Sequence, residues 1–104
     1  MSVRSQSYVN GVKSEPFAVS VTDTTPILAV GNDGSGRLAV VFSNNSATDS
    51  VFGGPTANVT AATGMLIPAK TTFVDDYSQD AWYFITFTGK TVDLHVLKII
   101  RPNS

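Results

Sequence analysis

The sequence predicts an all-β domain: an antiparallel β-sandwich or jelly-roll-like barrel of about seven to nine short strands, with no substantial helix. Three observations lead there. Apolar residues alternate with polar ones or gather in short runs, and no stretch of ordinary helix length repeats with the 3.6-residue helical period. Clusters of Gly, Pro, Asn, Asp and Ser punctuate the chain every ~8–12 residues, the turn spacing of sandwiches and barrels. Only 14% of the 104 residues are charged, against ~25% in an average soluble protein. Thr, Ser, Asn and Gly fill the deficit, and they suit short strands and turns better than solvated helices.

The elements follow in order. Residues 1–15 form a polar N-terminal arm with one apolar patch at Tyr8-Val9, followed by Asn10-Gly11. Asn-Gly is the strongest two-residue hairpin signal because both residues tolerate positive φ. A strand pair of Gln6–Val9 with Val12–Ser14 and an extended arm are equally compatible with it. A sandwich domain then occupies 16–104. Phe17, Val19 and Val21 alternate against Ala18 and Ser20, which is strand period. Pro26 opens the apolar run Ile27–Val30, and Gly31–Gly36 is a loop. Leu38–Phe42 is continuously apolar, as in a strand buried on both sides or at its centre. Asn44–Thr48 turns, and Ser50–Phe52 is a short strand ended by Gly53-Gly54-Pro55. Val59–Thr63 reads as loop, Gly64–Ile67 and Thr71–Val74 as strands, and Asp75–Asp80 as a polar loop. Trp82–Thr88 is rich in aromatic and β-branched residues. Thr91–Ile100 alternates Val92, Leu94 and Val96 against Asp93, His95 and Leu97. With Gly89-Lys90 between them, these last two segments predict a hairpin.

Composition excludes several functions. At 104 residues the chain is one domain. It has no cysteine, hence no disulfide framework, thiolate metal site or cysteine nucleophile. A net charge of −1 leaves no electrostatic footprint for nucleic acid. No apolar run approaches the ~20 residues of a helical membrane span, and the first residues lack the apolar stretch of a signal peptide. Neither cofactor, nucleic acid nor membrane is expected as a partner.

The motifs are thin. Gly34-Ser35-Gly36-Arg37-Leu38-Ala39 matches a relaxed dinucleotide fingerprint, but that chemistry needs a helix after the glycines, where this sequence reads as strand. Asp75, Asp76 and Asp80 share a loop without the EF-hand order that calcium uses, and read as a solvated turn. A glycosidase pair would need a set carboxylate separation that sequence does not reveal. His95, the sole histidine, stands beside Asp93 without a nucleophile elbow, and reads as a surface or sheet-edge residue. Trp82, Tyr83, Phe84 and Phe87 read as sandwich core rather than a stacking platform, since base stacking comes with a basic groove. Asn44-Asn45-Ser46 and Asn58-Val59-Thr60 match the glycosylation sequon, by chance on this reading. No catalytic constellation emerges, and the chain is not expected to be an enzyme.

A resemblance adds to this. Arg37 precedes a strand, Leu38–Phe42, that runs into Asn44-Asn45-Ser46. Val51-Phe52-Gly53-Gly54 follows, then Val59-Thr60 leading to Gly64, and finally Trp82-Tyr83 with a Thr-Gly-Lys turn and a last apolar strand. From Val19 to Ile99 this order resembles the small β-sandwich structural proteins of tailed-bacteriophage virions. The chain departs in having Gly53-Gly54 where a single Gly is usual, and Ala69-Lys70 where a Gly is often found. The resemblance implies no catalytic residues. It implies a capsid decoration (cement) protein on the virion surface, made in the host cytoplasm, whose partners are the major capsid protein and further copies of itself, as a trimer. The candidate assembly interface is Arg4, Tyr8, Val9, Lys13 and Tyr77. The competing reading is a tail- or fibre-associated module that binds a host-surface glycan or docks another virion protein.

Overall fold

A computed structural model describes residues 13–32 and 37–100. Eight strands run through them: β1 (Lys13–Thr22), β2 (Ile27–Val30), β3 (Arg37–Asn44), β4 (Val51–Gly54), β5 (Met65–Ile67), β6 (Thr72–Asp75), β7 (Trp82–Ile85) and β8 (Thr91–Ile100). They make two four-stranded antiparallel sheets, ordered β1-β8-β3-β6 and β2-β7-β4-β5. β1 pairs β8, β2 pairs β7, β3 pairs β6 and β4 pairs β5. The chain is thus one long antiparallel ribbon with the β4–β5 hairpin at its tip. Wound so that it alternates between two facing sheets, such a ribbon is the eight-stranded jelly roll.

This winding overturns the hairpin expected between the last two strands. β7 lies in the second sheet and β8 in the first, so the chain between them crosses the sandwich. The Gly89-Lys90 turn forms, with the Lys90 N–H on the Phe87 carbonyl at 3.1 Å. Its partner is the other crossing, from β1 to β2. Asp23 donates its N–H to the Lys90 carbonyl (2.9 Å) and accepts at its own carbonyl from Thr86 N–H (2.8 Å). Its carboxylate caps the Gly89 N–H. Asp23 sits at φ 56° and Gly89 at φ 80°. Asp is among the few non-glycine residues that visit this region readily. Two crossings that satisfy each other's backbone groups replace a turn that would have zipped adjacent strands.

Boundaries shift for local reasons. Lys13–Glu15, read as the end of the arm, are the first residues of β1. The arm's other residues, and most of the Gln6–Ser14 strand pair, lie outside the described residues. β7 ends at Ile85, because Thr86 already belongs to the crossing. Gly53 and Gly54, read as a stop, are the last two residues of β4. A Cβ on Gly53 would stand 2.5 Å from the Phe84 ring, inside the sandwich, and one on Gly54 would stand 3.2 Å from Val59, outside it. Both glycines are there because side chains cross above and below the strand.

The core lies between the sheets. Val21, Val40, Phe42, Phe84, Val92 and Leu94 are fully closed off from solvent. Phe42 meets Phe84 edge-on at 4.8 Å between centroids, and Trp82 lies 5.5 Å from Phe42 and 5.4 Å from Phe73. Such pairs add about 0.5–1.5 kcal/mol each beyond the area they bury. Of the four aromatics expected in the core, Trp82 and Phe84 lie there, whereas Phe87 is half-exposed against Phe52. Tyr83 and Ile85, of opposite parity, pack with Phe52 and Val59 on the outside of the second sheet.

Candidate functional site

The buried polar side chains are the first place to look for chemistry. They are Arg37, Asn44, Asp75 and Thr86. A β-bulge at Leu38 shifts the register between Arg37 and Ala39. The extra residue turns Arg37 inward, to the same side as Val40 and Phe42. There its guanidinium donates to the carbonyls of Gly31 (3.3 Å), Ser78 (3.2 Å) and Asp80 (2.8 Å). Gln79 Nε2 returns a bond to the Arg37 carbonyl at 2.9 Å. Asp75 accepts four bonds: from Ser78 Oγ (2.6 Å), Trp82 Nε1 (2.8 Å), Ser78 N–H (3.1 Å) and Tyr77 N–H (3.2 Å). Burial pushes its carboxyl up, but these four donors outweigh burial, and the net direction is down. The expected solvated turn is therefore wrong for Asp75, whose carboxylate is an interior hub.

Asn44 and Thr86 do the same work at other junctions. Asn44 Nδ2 donates to the carbonyls of Asp49 (2.9 Å) and Ile67 (3.0 Å), and its Oδ1 accepts from Ser46 N–H (2.9 Å). The sequon nitrogen at Asn44 is therefore buried and fully used. Thr86 Oγ1 donates to the Ser50 carbonyl at 2.7 Å. These bonds hold loops to strands, and Arg37 and Asp75, 3.9 Å apart, share one interior corner. Among the described residues no group of three or more His, Cys, Asp or Glu side chains could hold a metal ion. His95 lies on β8, an interior strand and not a sheet edge, with Nε2 3.1 Å from Asp93 Oδ2 and both side chains exposed.

Of the five expected interface residues, Lys13 and Tyr77 are among those described. Arg4, Tyr8 and Val9 lie outside the described residues. Lys13 opens β1, exposed and 3.6 Å from Glu15. Tyr77 follows β6 and is 78% exposed. β1 and β6 are opposite edges of the first sheet, so Lys13 and Tyr77 flank one end of it about 14 Å apart across the strands.

What lies between them was not read from the sequence. Val40 and Phe42 are buried, so Val41 between them points outward. The same alternation turns Leu97 outward on β8, Pro16 on β1 and Val74 on β6. Register aligns these four: Pro16 opposite Leu97, Leu97 opposite Val41, Val41 opposite Val74. They form one apolar row across the whole outer face. Ile99 and Ala39, paired with each other, begin a second. Beside the row a shallow groove of about 430 Å³ runs between β1, β8 and β3. Asp93 is the one formally charged side chain that this alternation places on the face within the four strands. The second sheet differs. The β4–β5 connection folds back over it, seating Val59 on Phe52, Ile85 and Tyr83. Leu28 and Leu66 remain exposed on its two edge strands. The signal for the apolar row was present in the sequence as the continuous run Leu38–Phe42, whose alternate members needed a second apolar surroundings.

No protein-family model matches this chain, and no curated protein matches it. Among solved structures, a chain described under "Bacillus endospore appendages form a novel family of disulfide-linked pili" is similar in fold. Its TM-score is 0.58 at 9% sequence identity, over 90% of this chain and 90% of that one. At that identity the similarity concerns the fold alone.

Proposed function

We propose that this chain is a structural subunit of a tailed-bacteriophage virion, a capsid decoration protein that binds the assembled head and stabilises it. The observation that carries the reading is the outer face of the β1-β8-β3-β6 sheet, with its apolar row Pro16-Leu97-Val41-Val74 open to solvent. An apolar row on a face whose one formal charge is Asp93 is cheap to desolvate and marks a protein contact. The buried polar groups support the same reading, since their bonds serve the fold. The major capsid protein and further copies of this chain are the proposed partners, with the segment before β1 as a strap onto a neighbour. A ligand that binds only the assembled shell stabilises it by mass action. The similar solved chain belongs to disulfide-linked pili. This chain has no cysteine, so its assembly rests on non-covalent contacts.

Co-sedimentation tests the proposal: the full chain is mixed with emptied heads, and separately with unassembled shell subunits, of the phage whose structural genes flank its own. Saturable pelleting with heads and none with free subunits is expected. Equal binding to both, or to neither, would overturn it.

One observation favours the competing module reading. Tyr77 stands over a groove of about 360 Å³ lined by Leu38, Asp76 and Gln79. An exposed aromatic beside a carboxylate suits a sugar ring. A glycan array without hits at high protein concentration removes that reading.

A further inference from the structure

We infer that the outer face of the first sheet is a homotypic contact, on which a second copy of this chain stacks face to face about a two-fold axis. The inference deepens the structural-subunit reading and rests on it.

The edge of the sheet is the less suited surface. β1 is a ten-residue edge strand, but Pro16 interrupts it, and a proline offers no N–H to a neighbouring strand. Lys13 and Glu15 put charge near its start. The face carries no such guard. Pro16, Leu97, Val41 and Val74 align across four strands, and Ile99 and Ala39 extend the apolar area toward the same end. Val74 is 47% exposed.

Size and charge point to a second copy. Strand spacings of about 4.8 Å and a rise of about 3.3 Å per residue give these strands a flat footprint of about 500 Å². A pleated face has more accessible area than its footprint, so the whole face, its Asp93 end included, comes near the ~800 Å² that each partner of a standard interface buries. Two sheets of this kind pack with their inner faces about 10 Å apart. In a two-fold contact residue i meets residue j, and only groups near the axis meet their own copies, so a face nearly free of charge stacks on itself without leaving buried charges unpaired. This one holds Asp93 alone, beyond the apolar rows and beside His95. A two-fold contact uses the same patch on both copies. It makes dimers, where the virion resemblance led to a trimer.

Light scattering after size exclusion tests this on the full chain, from about 1 µM to about 200 µM, a range that brackets a micromolar dissociation constant. The wild type should move from the 11.0 kDa monomer to twice that mass. Val41→Lys and, independently, Val74→Lys should weaken dimerisation at least about tenfold, since each places an unpaired charge in a desolvated apolar contact. Leu66→Lys, on the second sheet, should leave it unchanged. Circular dichroism confirms that each variant is folded, and Val74 is exposed enough to keep the test valid if Val41→Lys fails to fold. A wild type that stays monomeric throughout, a trimer mass, or a dimer broken by Leu66→Lys but not by Val74→Lys would overturn the inference. A monomer that still pellets with heads overturns this inference and leaves the decoration reading standing. A dimer that ignores heads does the reverse.

Discussion

The Arg37 guanidinium and the Asp75 carboxylate lie 3.9 Å apart, both closed off from solvent, and neither takes the other as its main partner. Arg37 directs its two terminal nitrogens at three backbone carbonyls and leaves Nε without a partner, and Asp75 fills its acceptors from Ser78, Trp82 and Tyr77. The pair ties the start of β3, the end of β6 and the start of β7 into one corner. Net stabilisation by a buried pair is small, but removing one partner strands the rest.

Asp75→Ala should therefore cost about 3–5 kcal/mol, measured by urea denaturation. It leaves the Trp82 indole N–H, the Ser78 hydroxyl and two backbone N–H groups without an acceptor. Asp75→Asn keeps the shape but faces an amide toward some of these donors, and should cost about 1–3 kcal/mol.

The same carboxylate sets an acid limit. Its pKa is lowered in the folded state, so protons bind the unfolded chain more tightly. Its contribution is present above about pH 4, where the unfolded carboxyl is ionised, and is lost as pH falls through the lower folded value. The stability gap between wild type and Asp75→Asn should be constant from pH 5 to 8 and close below about pH 4. A gap that persists unchanged at about pH 2 would show that the charge is not what matters.

Gly53→Ala should destabilise by about 1–3 kcal/mol, because its Cβ would enter the Phe84 ring at 2.5 Å. Pairing it with Phe84→Leu should recover part of the loss, a coupling that a double-mutant cycle reads directly.

Lys70 occupies the left-handed region at φ 59°, in the turn between β5 and β6. Its N–H binds the Asn44 carbonyl at 3.0 Å, which holds that conformation in place. Lys70→Gly should stabilise by about 0.5–1 kcal/mol, the relief of backbone strain less the entropy glycine adds to the unfolded chain. Thermal denaturation measures it, and a loss of stability would mean that the Lys70 Nζ contact with the Asn45 carbonyl outweighs the strain.

The sequence carried the strands well and their partners poorly. Alternation in Thr91–Ile100 and the run Leu38–Phe42 were local, so β8 and β3 were legible. The pairing of β1 with β8 and of β2 with β7 was not, because a jelly roll joins strands from opposite ends of the chain. Gly89-Lys90 marked a turn correctly and misled about its use, since the deciding bonds come from Asp23. Gly53-Gly54 looked like a stop until Phe84 and Val59 stood over them. Asp75 looked solvated because its local donors, Tyr77 N–H and Ser78, are those of an ordinary exposed turn, and only the sheet packing brings the Trp82 indole N–H and Arg37 against it. The face between Lys13 and Tyr77 depended on four strands in register, and no one of them carries the row alone.

Hydroxyl-radical footprinting of the concentrated chain, at about 500 µM, against the dilute chain at about 1 µM, tests the central claim most directly, the two concentrations lying on either side of a micromolar dissociation constant. The account predicts protection at Pro16, Val41, Val74 and Leu97, with Leu28, Leu66 and Tyr77 reacting equally at both concentrations. Protection centred on Leu28 and Leu66, with the Val41 row unchanged, would contradict it.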